Sequence, residues 1–434
     1  MNAAHPLSET AFALCLGFIL LAPLAAAGLG LMNAGLGRAR SAAHSMLSAL
    51  CAVGIAALVF FVFGFSWQGY PGQPAHAALI QGKAWNWIGA EPFFLRGIPV
   101  EGSPALLAAL LGMFSAGVAA MIPLGSGSDR WRLGATCAST AILAGWTFPL
   151  FAHWVWGGGW LAQLGQNYGL GQGFLDSGGA ASIQVVGGLT ALSVAWLLGP
   201  RRGKYTSEMP AAIPGHNVVL VVFGCFLAWL GWIGLNSAGA ILFAGVPLTR
   251  SPLLAINTTL SAAAASLTAA AITRLRFGKP DASLCANGWT AGLVACSAGT
   301  AWFRPPAAAL IGAVAGAIVV YAVEWLELHL TIDDPSGAVS VHAAAGLWGV
   351  IAAGLFATPA PGIGSANQPL AQLVGAATLV GFVLPLTYSL NWLLNRFYRF
   401  RVGPEGERQG LDLHELGAGA YPEFMSHNED LWQK

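Results

Sequence analysis

Apolar stretches of roughly 18 to 28 residues, joined by short polar links, constrain this chain more than any other feature, because a helix of that length spans the ~30 Å hydrocarbon core of a bilayer. They fall at 10–36, 42–66, 104–124, 133–151, 177–199, 215–243, 252–273, 285–302, 306–327, 339–357 and 371–395. Only 9% of the residues are charged, whereas a soluble domain carries about 25% to solvate its surface. The reading is an all-α integral membrane protein with about eleven transmembrane helices, multi-pass in the plasma (inner) membrane and surrounded by lipid. The 57 glycines read first as helix packing, since small residues let backbones approach closely in lipid. None follows a soluble strand as a phosphate-binding loop would.

Several function classes are poorly served. Cys15, Cys51, Cys137, Cys225, Cys285 and Cys296 are scattered singly, so a metal or redox site has no ligand pattern. The net charge is +1 with no basic run, which leaves nothing for nucleic acid. Clustered carboxylates and Ser/His/Asp sets are absent from the spans, and no residue set implies a cofactor, so an enzyme is the weakest reading.

An odd number of spans puts the termini on opposite sides. With the N-terminus outside, fifteen of the nineteen lysines and arginines fall on inner loops and the tail, and only Lys83, Arg96, Arg250 and Arg304 fall outside. That asymmetry predicts N-out, C-in. Residues 1–9 carry no lysine or arginine, so the first segment reads as a retained helix rather than a secretory signal. The division is residues 1–396 as the transmembrane domain and 397–434 as a cytoplasmic tail. The outer loop 67–103 is expected to fold over the outer face.

Two segments align without gaps. Asp176, Gly179, Ser182, Gln184 and Gly188 match Asp334, Gly337, Ser340, His342 and Gly346. Spans one to five and six to ten are then two halves, and an odd number per half makes the repeat inverted. Such repeats place the substrate site near the midplane between halves. Gln184 and His342 become symmetry mates, each eight residues beyond an aspartate and so about 12 Å below the helix start. The aspartates suit helix N-termini, where a carboxylate caps free N–H groups. A polar residue at this depth faces a bundle interior or a pathway; alone, His342 reads equally well as a satisfied structural histidine, and its polar mate favours a pathway. Of the other histidines, His5, His76, His414 and His427 fall in polar segments. His44, His216 and His329 sit at span ends, where snorkelling is the simple reading, and His153 serves packing or an outer vestibule.

The motifs His153-Trp-Val-Trp156-Gly-Gly-Gly159, Asp176 with Gly178-Gly179, Gly231-Trp232-x-Gly234-x-Asn236 and Asp333-Asp334-Pro335 leading to His342, with Gly410-Leu411-Asp412 and Ala420-Tyr421 in the tail, resemble the ammonium transporter/methylammonium permease/Rhesus superfamily, most of all its bacterial ammonium transporter branch. The resemblance covers nearly the whole chain. It implies one pore per subunit, a homotrimer, and a cytoplasmic partner of the PII class. It also implies that Trp156 holds NH4+ by cation–π attraction at the outer vestibule, with Asp176 supporting recruitment from beneath. Phe114 matches an aromatic gate, and His342 the second of two pore histidines.

The departures are specific. Gln184 stands where the family has its first pore histidine, and Leu235 where it has a second gate phenylalanine. The vestibule serine position falls on Gly239, with Ser237 two residues away, and Gly337 replaces an acidic residue. Leu416 and Ala418 replace a histidine and a glutamate of the tail, which weakens the matching contact with a PII-class protein. NH4+ and K+ are alike in size and charge, so selectivity implies deprotonation and passage of NH3 through an apolar pore. Two imidazoles can relay the released proton, but a carboxamide does not titrate near neutral pH. The readings in play are an ammonium/ammonia channel or transporter and an ammonium sensor with little flux.

Overall fold

The structure is a computed structural model that describes residues 7–205, 209–358 and 367–421. Residues 422–434 of the assigned tail, with His427, and His5 at the start lie outside the described residues. Ten helices among those described are long and apolar enough to cross a membrane. They are α1 (Glu9–Leu36), α2 (Ala39–Gln68), α3 (Pro104–Gly127), α4 (Leu133–Val155), α5 (Ala180–Leu198), α6 (Val218–Ala244), α7 (Leu248–Phe277), α9 (Pro305–His329), α10 (Val339–Phe356) and α11 (Gln368–Phe397). The eighth segment forms the helix α8 (Ala282–Ser297), whose 16 residues rise about 24 Å and stop short of the ~30 Å core. The chain is helical almost throughout, and the outer loop adds a short hairpin. In the outer loop, β1 (Ala75–Ile80) and β2 (Lys83–Gly89) pair antiparallel around a Gln81-Gly82 turn whose two residues both have positive φ.

The helix pairs that pack together recur in the two halves. The contacts α1–α3, α2–α3, α2–α4 and α3–α5 are matched by α6–α8, α7–α8, α7–α9 and α8–α10, while α1–α6 and α5–α10 cross between halves. This is the packing a five-plus-five repeat demands. Glycine makes the crossings close, since a Cβ on Gly28 would strike the α6 backbone at Gly224 and Ala228. The aromatic and branched side chains left exposed, such as Leu58, Phe223 and Leu267, form the outer surface that lipid would solvate.

On the tail side, links between spans meet in an ionic cluster. Arg201 grips both oxygens of Asp333 at 2.9 Å and reaches Asp129 at 3.1 Å. Arg130, fully buried, donates to Gly199 O and Asp333 O. Burial by itself would push the Asp333 carboxyl up. The arginine hydrogen bonds and charges outweigh it and hold that carboxyl at about 2.

The tail returns to the helical body. Asp412 accepts from the N–H groups of Ala43 and His44 at the start of α2, and Glu415 accepts from Leu133 N at 2.8 Å at the start of α4. Free N–H groups at helix N-termini attract carboxylates, so two tail residues serve two helices. His44 therefore does not snorkel; it is buried, and its Nε2 hydrogen-bonds Glu415 at 2.8 Å.

Candidate functional site

The two aligned segments adopt matching local structure. Gly179 and Gly337 have φ of +87° and +72°, a left-handed turn that admits glycine with no Cβ penalty. Asp176 Oδ2 accepts from the N–H groups of Ala181 and Ser182, and Asp334 Oδ2 from Val339 N. Each helix opens with a π-helical turn, Ala180–Val185 and Val339–Ala344, of the kind that often marks functional sites. Gln184 and His342 sit inside these turns.

The turns also meet. With the carboxamide oxygen facing the ring, His342 Nδ1–H donates to Gln184 Oε1 at 2.8 Å, and both residues are buried. The approach depends on Gly188, where a Cβ would strike the backbone of His342 and Ala343. Gln184 Nε2 has no partner among the described residues. On the side of His342 toward the start of α10 lies a narrow cavity lined by Asn33, Ile122, Asn287, Thr290 and Ser336. With the proton on Nδ1 the ring presents a lone pair on Nε2, and its side-chain partner among the described residues is an amide that cannot take a proton.

The aspartates differ beyond their shared capping. Ser126 donates to Asp334 Oδ1 at 2.6 Å. Asp176 Oδ1 is buried without a partner among the described residues.

At the other end of the bundle, Trp156 closes α4. Its Nε1–H donates to Asp176 O at 2.7 Å, which brings these two predicted residues together through a backbone carbonyl. The indole is 3% exposed. Phe148 meets it edge-on at 6.4 Å, and Phe243 lies parallel on it, centroids 4.8 Å apart and planes at 5°. Tyr70 packs on Phe243 at 6.3 Å and donates its hydroxyl to Leu242 O.

The remaining predicted residues are dispersed. Phe114 is half-buried on α3 against the same apolar core that holds Leu235 and Trp156. Ser237 Oγ is buried with no partner among the described residues. Gly239 offers no polar group; a Cβ there would run into Ser177 O, so its role is to let α6 reach that loop.

Two residues escaped sequence reasoning. Phe243 lies one helical turn beyond Gly239 on the same face, a spacing that could have singled it out. Gln68, in the last turn of α2, is wholly buried with both amide atoms unpartnered among the described residues. Its backbone carbonyl accepts from His153 Nδ1–H at 2.7 Å, and a buried amide at a span end is itself a signal.

The sequence pattern of the Ammonium Transporter Family matches residues 11–421. The chain is 37% identical to the ammonium transporter Amt2 of Archaeoglobus fulgidus, over 99% of this chain and 93% of that one. It is 30% identical to the ammonium transporter of Bacillus subtilis strain 168, over 94% and 97% of the two chains. Among solved structures, one described as a sensor Amt protein superposes with TM-score 0.82 at 27% identity, covering 92% of this chain and 96% of the other. The Candida albicans Mep2 crystal structure gives 0.77 at 26%, covering 94% and 89%.

Proposed function

The chain belongs to the ammonium transporter family, a family of membrane proteins that are not enzymes, and from that premise we propose that it moves ammonium nitrogen as NH3 while leaving the proton behind. The observation that carries the proposal is the 2.8 Å hydrogen bond between His342 Nδ1 and Gln184 Oε1. NH4+ would be held over the Trp156 ring, where cation–π attraction is worth about 0.5–2 kcal/mol and grows as the site dries. Asp176 adds negative potential beneath, through Oδ1 and the carbonyl that Trp156 Nε1–H engages. Phe114 and Leu235 would form the gate below, with Ser237 and the Gly239 backbone at its edge.

Ionic ammonium pays a heavy desolvation cost in an apolar pore, and neutral NH3 does not. The reaction at the mouth is NH4+ giving NH3 and H+, the proton returning to outer water. NH3 passes Gln184 and His342 and takes a proton from water on the far side. Two imidazoles in contact can hand a proton on; an imidazole bonded to a carboxamide cannot. Net transport is therefore electroneutral. We further propose a homotrimer, and a PII-class contact weakened by Leu416 and Ala418.

The test is methylammonium uptake in a strain lacking its own transporters, with pH-dye proteoliposomes and solid-supported-membrane currents on the purified protein. Uptake and alkalinisation above empty vesicles, without ammonium-driven current, is the expected result; a robust current overturns it. A sensor is the second reading, favoured by Phe243 covering Trp156 and by the likeness to the sensor Amt structure. Ammonium binding by calorimetry without any uptake would select it.

A further inference from the structure

Where α11 ends, five arginines surround one open cavity of about 880 Å³: Arg132, Arg202, Arg396, Arg399 and Arg401. They come from the start of α4, the α5–α6 link, the end of α11 and the beginning of the tail. Among the described residues one carboxylate serves this group. Arg401 bonds Glu407 at 2.8 Å, and Arg202 stands 3.8 Å from the same side chain. Among the described residues no carboxylate lies within ion-pair distance of Arg132, Arg396 or Arg399. Guanidiniums crowded in this way repel one another unless an anion sits between them.

The opposite wall is apolar. Leu197 and Leu198 end α5 there, and Trp392 of α11 is 51% exposed. Along α11 the side chains of Leu373, Val380 and Phe397 are also exposed, which in a membrane means facing acyl chains. The cavity is thus oily on its membrane side and basic on its water side, at the level where a helix leaves the bilayer. An interfacial tryptophan beside it marks the same level.

We propose that this cavity binds the phosphate headgroup of an anionic phospholipid, with the acyl chains running along α11 past Trp392. The arginine fork matches phosphate oxygens in pairs, and basic pockets between transmembrane helices suit anionic headgroups. A soluble phosphate would satisfy the arginines but leave the apolar wall without a partner. The site also touches the tail's attachment. Arg401 Nη1 donates to Leu198 O at 2.8 Å, and the Arg132 and Val402 N–H groups bond Phe400 O and Arg130 O. A bound headgroup neutralises the repulsion that works against this seam.

The experiment uses the full-length protein, delipidated in detergent, with phosphatidylglycerol, phosphatidylcholine and inorganic phosphate added separately. Native mass spectrometry reads retention, and thermal unfolding reads stabilisation. Phosphatidylglycerol should be retained and raise Tm, while the other two do neither. The double variant Arg396→Gln/Arg399→Gln, both exposed positions, should lose at least about ten-fold in lipid affinity and remain folded. Arg274→Gln/Lys279→Gln, which removes two exposed charges elsewhere, should keep wild-type binding. Unchanged lipid binding by the first pair overturns the proposal. So does equal loss in the second pair, which would mean general charge attraction, or equal stabilisation by inorganic phosphate, which would mean a soluble anion site.

Discussion

Trp156 and Phe243 lie face to face, ring planes 5° apart and centroids 4.8 Å apart. Trp156 is 3% exposed while Phe243, one residue before the end of α6, is half-buried, so the less buried phenylalanine covers one face of the indole. An ammonium ion bound on that indole face displaces it. An offset-stacked pair is worth about 0.5–1.5 kcal/mol, so Phe243→Ala should lower the methylammonium KM about 2- to 10-fold, while Trp156→Ala raises it. A KM raised by Phe243→Ala would make that ring part of the binding cage instead.

Restoring the family's vestibule serine should not help. A Cβ on Gly239 meets Ser177 O, a backbone atom of the loop that carries Asp176. Overpacking of this kind costs about 1–3 kcal/mol. Gly239→Ser and Gly239→Ala should therefore lower Tm alike, and a gain in ammonium affinity by the serine variant would contradict the packing role.

The ionic cluster makes stability fall on the acid side. Asp333 is held at about 2 against an ordinary 3.8, so its folded-state value is depressed. The resulting stability, about 2 kcal/mol, is fully present above pH ~4 and lost as pH falls toward 2. Asp333→Asn removes the carboxylate that Arg201 and Arg130 share and leaves Arg201 only its contact with Asp129, at a cost of up to about 3–5 kcal/mol. Thermal unfolding against pH reads both effects; a Tm independent of pH between 5 and 3 would count against them.

The tail is held by carboxylates at helix starts. Burial raises the Glu415 carboxyl, and hydrogen bonds from His44 and Leu133 more than reverse that. Its depressed value means that docking is complete above pH ~5 and weakens as pH falls through the carboxylate range. Glu415→Ala should expose the tail to limited proteolysis at neutral pH, and Asp412→Ala, which uncaps α2 at about 1 kcal/mol, should do the same. Equal protease resistance in all three proteins would show that other contacts hold the tail.

Much of this was legible because membrane spans advertise themselves. The repeat from Asp176 to Gly188 and Asp334 to Gly346 located the Gln184–His342 contact, since its glycines and aspartates encode the turn and the close crossing. The α8 helix is shorter than its apolar segment because composition does not mark where a buried helix stops. The β1–β2 hairpin lay in a loop whose pairing depends on the Gln81-Gly82 turn. Phe243 and Gln68 were missed for another reason. An aromatic at a span end and an amide at another are ordinary in sequence, and only packing makes one a cover and leaves the other unpartnered.

The central claim is that a carboxamide at Gln184 interrupts proton relay while leaving NH3 passage intact. Solid-supported-membrane recordings of wild type and Gln184→His, under matched ammonium and potassium pulses, test it most directly. The account predicts no ammonium-driven current in the wild type and a new ammonium current in Gln184→His, where Nδ1 of His342 faces an imidazole. A robust ammonium-selective current in the wild type, unchanged by Gln184→His, would contradict it.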